Sequence, residues 1–209
     1  VIFLTVRKNN RTKEQGAETK KLLFESAVKL FGQCEFKDVT VEAITRMAGV
    51  TKGTFYVHFD SKDTLYAELF SAYVERMDTQ YKAFLDTLPP QMSSSDMMLS
   101  LIKEIIDLMT AQIGYDNLRT IYRLQLTNTM NTDSVKGYER KLYCFFQEVL
   151  ERGLKQGEFK TVLPTEALSR HFVMAIRGLT YEWCIRYPHF DLKQEATAHF
   201  RLLLEGIQT

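Results

Sequence analysis

An all-α fold is predicted by three observations. Apolar residues recur at three- and four-residue spacing along most of the 209 residues, the period of amphipathic helices. Glycine and proline are sparse, ten and four in all, so little interrupts those stretches. Near the amino end, two short helical patterns fit around the tight turn Ala48-Gly49-Val50. The predicted architecture is an N-terminal three-helix domain with a helix-turn-helix, residues 1–62, joined by a long helix to a C-terminal helical domain, residues 63–209.

The elements follow in order. Val1-Ile2-Phe3-Leu4 is too short for a signal-peptide core and lacks a small-residue cleavage site after it. Arg7 to Lys13 holds four cations and no acid, read as a solvated leader, with an arm that follows DNA as the functional alternative. The first helix is expected over Ala17–Gln33, with Leu22, Leu23, Ser26, Ala27, Leu30 and Phe31 turned inward. Thr40 is suited to cap the second helix, where Val41, Ile44 and Ala48 share a side, and Gly49 supplies the left-handed residue that stops it. Thr51 caps the third, which buries Phe55 and Phe59 and leaves Lys52, Thr54, Tyr56 and His58 outside.

That outer face carries a cation, hydroxyls and an imidazole, all able to donate to phosphate oxygens or base edges. Gly53 removes a side chain where a backbone could approach a duplex. A long helix then runs from Lys62 to about Leu85, and Pro89-Pro90-Gln91-Met92-Ser93-Ser94-Ser95 ends it with turn chemistry. Further helices are expected over Asp96–Ile113, Asp116–Met130, Ser134–Gln156, Pro164–Tyr187 and Leu192–Ile207.

Charge supports the same division. The net charge is only +1, which argues against a general nucleic-acid coat, yet residues 1–60 carry ten Lys/Arg against seven Asp/Glu. Cys34, Cys144 and Cys184 lack any CxxC spacing, so neither a disulfide framework nor a zinc site is indicated, and they are expected reduced in or near a core. His58, His171, His189 and His199 form no metal-ligand cluster, and no phosphate loop or nucleophile motif occurs. His171 and His199 are expected in the core or an interface. No catalytic residue, metal or cofactor is indicated, and the chain reads as a non-enzyme. No apolar run approaches the roughly 18 residues that would cross a membrane. A cytoplasmic protein is expected.

The stretch Thr40–Lys62 resembles the DNA-binding domain of the TetR family of bacterial transcriptional regulators. The match rests on Leu30-Phe31, Phe36, Thr40, Ile44, Ala48-Gly49-Val50, Thr51-Lys52-Gly53-Thr54-Phe55-Tyr56, His58-Phe59 and Ser61-Lys62 in register. It departs at Glu35, where the family usually has glycine, and at Thr45, where it usually has alanine. The resemblance implies a homodimeric regulator, a repressor that binds a palindromic double-stranded DNA operator and is released by a small hydrophobic or amphipathic effector. Lys52, Thr54 and Arg46 are then expected at base edges, and Thr40, Thr51, Tyr56, His58 and Lys62 on phosphates, with Gly53 letting the helix sit deep. A helical small-molecule carrier with a degenerate DNA-binding head is the alternative.

The rest of the chain bears on effector and partner. Methionines and aromatics are frequent there, and Met109, Tyr115, Tyr122, Phe145, Tyr181 and Trp183 are the candidates to line a pliable apolar pocket. Acids near it such as Glu104, Asp107 or Glu182 fit a cationic ligand and a solvated helix face equally well. The last two helices carry more apolar circumference than packing on one side requires. Phe172, Ile176, Leu179, Phe200, Leu203 and Ile207 are the expected dimer interface, with Gly178 permitting close approach.

Overall fold

The computed structural model describes the backbone of residues 2–127, 133 and 137–209, and side chains from Glu14 onward. These residues are helical throughout, apart from turns and one isolated backbone pairing of Phe159 with Gln208. They divide into two compact units, one of residues 2–72 with Thr127 and the other of residues 73–126, 133 and 137–209.

The first unit comprises α1 (Ile2–Phe31), α2 (Val41–Ala48), α3 (Lys52–His58) and the opening turns of α4 (Lys62–Thr87). The expected helix start at Ala17 is corrected to Ile2, so the backbone of the basic leader is helical. No proline precedes Phe31, and the straight-chain Lys, Arg, Glu and Gln of this stretch lose little freedom in a helix. The side chains of Arg7 to Lys13 lie outside the described residues, and with them the arm reading.

Leu23, Ala27, Val39, Ile44, Phe55, Phe59, Leu65 and Leu69 form the core of this unit. A fully buried side chain such as Phe55 contributes about 1.5–3 kcal/mol. Leu22, expected inward, is exposed. It falls around the side of the arc centred on Leu23 and Ala27, and Phe24 takes the inward place, edge-on to Phe59 with centroids 5.3 Å apart. The loop before α2 is clamped from α4: Lys62 Nζ donates to the carbonyls of Phe36 and Val39 at 2.7 and 2.8 Å and lies 4.2 Å from the Phe36 ring centre. The departures noted in the sequence are accommodated locally. The buried Thr45 hydroxyl donates back to the Glu42 carbonyl at 3.2 Å, and Glu35 pairs with Lys37 at 3.0 Å.

The second unit continues α4 from Tyr73 and adds α5 (Ser94–Leu108), a π-helical turn (Met109–Ile113), α6 (Gly114–Leu126), α7 (Lys141–Lys155), α8 (Thr165–Arg186) and α9 (Leu192–Glu205). The helix expected from Ser134 begins at Lys141, after a turn at residues 137–140. The core is drawn from every helix: Met77 and Tyr81 of α4, Leu101 and Ile105 of α5, Phe146 and Leu150 of α7, Phe172 and Ile176 of α8, Phe200 and Leu204 of α9. Glycine is required at 153, because a Cβ there would lie 2.1 Å from the Phe159 ring.

Two polar devices fix the connections. Arg140 donates to both carboxylate oxygens of Asp78 at 2.7 to 3.2 Å, joining α4 to the start of α7 in a buried ion pair. Arg152 donates to the carbonyls of Pro90 and Met92 at 2.8 and 2.7 Å, which secures the loop between α4 and α5. No helix among the described residues is long and apolar enough to cross a membrane.

Candidate nucleic-acid interface

The turn between α2 and α3 follows from its caps. Thr40 Oγ1 accepts from the Ala43 N–H at 3.1 Å, and Thr51 Oγ1 accepts from the Thr54 N–H at 3.1 Å. Gly49 sits between the helices at φ 69°, the left-handed region that a side chain disfavours, with its N–H directed at the Thr45 and Arg46 carbonyls. Phe55 and Phe59 pull one side of α3 into the core. The opposite side is therefore presented to solvent.

That side carries Lys52, Gly53, Tyr56 and Val57, all exposed, with Thr51 at its head. Arg46 and Met47 of α2 are exposed, and so is Thr40. Thr54 and His58 are half-buried on the flank of α3, and the Thr54 hydroxyl is 2.8 Å from that of Thr51. His58 faces α1, where a Cβ added to Gly16 would come within 3.9 Å of its ring. A Cβ added at Gly53 would meet nothing closer than the Thr51 hydroxyl at 3.7 Å. Packing inside the head does not explain that glycine.

Three residues of this surface stand differently from the sequence expectation. Val57 is 79% exposed on the reading helix and was not among the candidates. The signal was available, since Phe55 and Phe59 inward leave position 57 outside, and an apolar group there can meet a thymine methyl. Lys62, expected on phosphate, instead directs its ammonium to the Phe36 and Val39 carbonyls. Lys52 is ion-paired with Glu42 of α2, an acid that the sequence reading left aside. The hydrogen bond from Lys52 holds the Glu42 carboxyl below its ordinary range, and the same bond raises the ammonium of Lys52.

In the second unit, α8 faces the π-helical turn and α6 with an aromatic seam. Tyr115 stacks on Tyr187 at 4.1 Å and meets Trp183 edge-on at 5.8 Å, while Tyr122 meets Tyr181 at 5.9 Å. The Tyr122 hydroxyl donates to the Arg177 carbonyl at 3.0 Å, and burial raises its ionisation above the usual phenol range. Met109 joins through Thr180, its sulfur 3.9 Å from the hydroxyl. Five of the six pocket candidates thus lie along this seam, and Phe145 lies on α7 in the general core. Tyr187 was not anticipated there. Asp107 and Glu182 do not offer free charge to a cation, because they pair with Lys193 and Arg186. Burial pushes the Cys184 thiol up to about 11, which keeps it an inert thiol beside the seam, whereas Cys34 and Cys144 are exposed and not in a core.

Of the six residues expected at the dimer interface, three are corrected to the interior of the unit. Phe172, Ile176 and Phe200 are buried inside the unit, with Phe172 ringed by Phe146 at 5.7 Å and Phe200 at 5.5 Å. Leu179, Leu203 and Ile207 are half-buried against that same core. What α8 leaves uncovered is a second stripe, Met174, Gly178, Tyr181 and Ile185, spaced at four, three and four residues. His171 continues it by one turn and is exposed, as are His199 and Leu202 of α9.

Comparison with known proteins places these features. Residues 23–69 match the family described as bacterial regulatory proteins, tetR family. The HTH-type transcriptional regulator AcrR of Shigella flexneri is 25% identical over 208 residues, covering 93% of this chain and 92% of that protein. The fold is similar to that of FadR from Thermus thermophilus, a TetR-family transcriptional repressor solved in complex with lauroyl-CoA. Its TM-score is 0.70 at 19% identity, over 91% of this chain and 95% of that one. The transcriptional regulator FadR from Bacillus subtilis, solved in complex with stearoyl-CoA, gives 0.64 at 19% identity over 90% and 99%.

Proposed function

We propose, from the premise that this chain belongs to the TetR family of bacterial regulators, that it is a cytoplasmic, non-enzymatic repressor binding a palindromic operator as a homodimer and released by an amphipathic effector. The observation that carries the reading is the outer side of α3, where Lys52, Gly53, Tyr56 and Val57 stand exposed behind a glycine turn. A short helix with donors, an apolar tip and no side chain at its point of closest approach is suited to a major groove. Arg46, Thr40 and Thr51 flank it and are assigned to the duplex with it. Two copies would meet half-sites about one helical turn apart.

The effector is assigned to the aromatic seam, whose ring surfaces suit an acyl or other apolar chain. Long-chain acyl-CoA thioesters are the first compounds to try, because two proteins of the same fold were solved with them. Effector bound there would shift α4 and the head it carries, with a coupling of about 1–3 kcal/mol, or roughly 5- to 150-fold in operator affinity.

Genomic fragments selected by the protein and titrated in a gel-shift assay test this reading. Affinity is expected to fall steeply with salt. Lys52→Ala should cost about 1–3 kcal/mol and relax base preference at one position, whereas Tyr56→Phe should weaken all duplexes alike. Absence of salt-dependent duplex binding would leave a carrier with an idle head, and parental behaviour from both variants would overturn the assignment of these two side chains. Gly53→Ala makes a sharper contrast: the head should gain about 1 kcal/mol from the better helix former while operator affinity drops. Equal affinity with alanine at 53 removes the close-approach role.

A further inference from the structure

Glu42 is out of place on a surface meant for phosphates. It stands in the first turn of α2, exposed, and its carboxylate reaches across the turn to Lys52, the first residue of α3. The pair neutralises the one Lys/Arg that α3 itself carries, since Arg46 belongs to α2 and Lys62 to α4. A head built only for affinity would gain from any uncharged residue at position 42, because each phosphate contact adds to binding. Something other than affinity must be served.

Lysine explains what. Its ammonium is a compact charge on a flexible stem, able to satisfy itself on many phosphates and several base edges. Tethered to Glu42, it is held on the α2 side of α3, and the pair becomes a donor set beside an acceptor. In the major groove a G·C pair presents the guanine O6 and N7 acceptors next to the cytosine N4 donor, and lysine and glutamate are the side chains that match those edges. An A·T pair presents a different order.

We propose that Glu42 is a positioning and specificity-determining residue, holding Lys52 so that the two together read one G·C pair in each half-site; this rests on the regulator reading above. The carboxylate trades affinity for discrimination. Removing its charge frees the ammonium for phosphate, so affinity for arbitrary duplex rises while the preference at one base pair is lost.

The test uses the full chain and a panel of duplexes in which each base pair of the selected half-site is replaced in turn, titrated at several salt concentrations. The parent should prefer G·C at one position by roughly 5- to 150-fold. Glu42→Gln should flatten that single position to within about threefold, leave the other positions as they were, and steepen the salt dependence by about one phosphate contact. Lys52→Ala should flatten the same position, and the double variant should flatten it no further. Equal weakening of every duplex by Glu42→Gln, or an unchanged profile, overturns the inference while leaving the regulator intact. A parent that binds no duplex overturns the regulator reading and this one with it.

Discussion

Asp78→Ala is expected to destabilise the second unit by about 3–5 kcal/mol, the usual cost of leaving one member of a buried ion pair alone. Asp78 is only 3% exposed, and its carboxylate receives three hydrogen-bond contacts from Arg140. Without it a largely buried guanidinium loses its carboxylate partner. Trp183 is the single tryptophan and lies in this unit, so its fluorescence reports the unfolding of the right part. At roughly 2–4 °C per kcal/mol for a chain of this size, the midpoint should drop by about 6–20 °C. The paired replacement Asp78→Leu with Arg140→Met should recover most of the loss, since two apolar groups need no partner. If the single variant melted within a degree or so of the parent, the pair would be an ornament of the surface and not a pin of α4.

Local chemistry was legible in the sequence and neighbour choice was not. Thr40, Gly49 and Thr51 could be read because a cap or a left-handed residue is decided within four residues of chain, and the structure places all three in those roles. Phe55 and Phe59 could be read because their spacing matches one turn. Lys62 misled for the opposite reason: nothing in a local pattern shows that the carbonyls of Phe36 and Val39, more than twenty residues earlier, will collect its ammonium. Asp78 and Arg140 are 62 positions apart and gave no pattern at all. The pocket candidates were legible as a composition and only partly as a place, since Phe145 shares the chemistry of the seam but sits on α7. On α8 the difficulty was excess. Two apolar stripes wind along one helix, and periodicity cannot say which meets the protomer's own core.

Charging the outer stripe of α8 should separate those two readings. Met174 and Ile185 are 49% and 55% exposed and lie outside the protomer's core, so Met174→Glu with Ile185→Glu leaves that core and the Tyr122–Tyr181 contact in place. In a twofold pairing each substitution would meet its own copy or a near neighbour, because a symmetric interface presents the same patch twice. Four buried carboxylates in one interface cannot all be paired. The expected result is a protein with parental helicity and Trp183 fluorescence that sediments as a monomer, and whose operator affinity falls about 10²- to 10⁴-fold through lost effective concentration. Phe172→Ala supplies the opposing case. Phe172 packs against Phe146 and Phe200 inside the unit, so its loss should cost about 3–5 kcal/mol of stability and leave sedimentation of the folded fraction unchanged. Were the charged variant still dimeric, self-association would have to use another surface, and the outer stripe of α8 would need a different occupant.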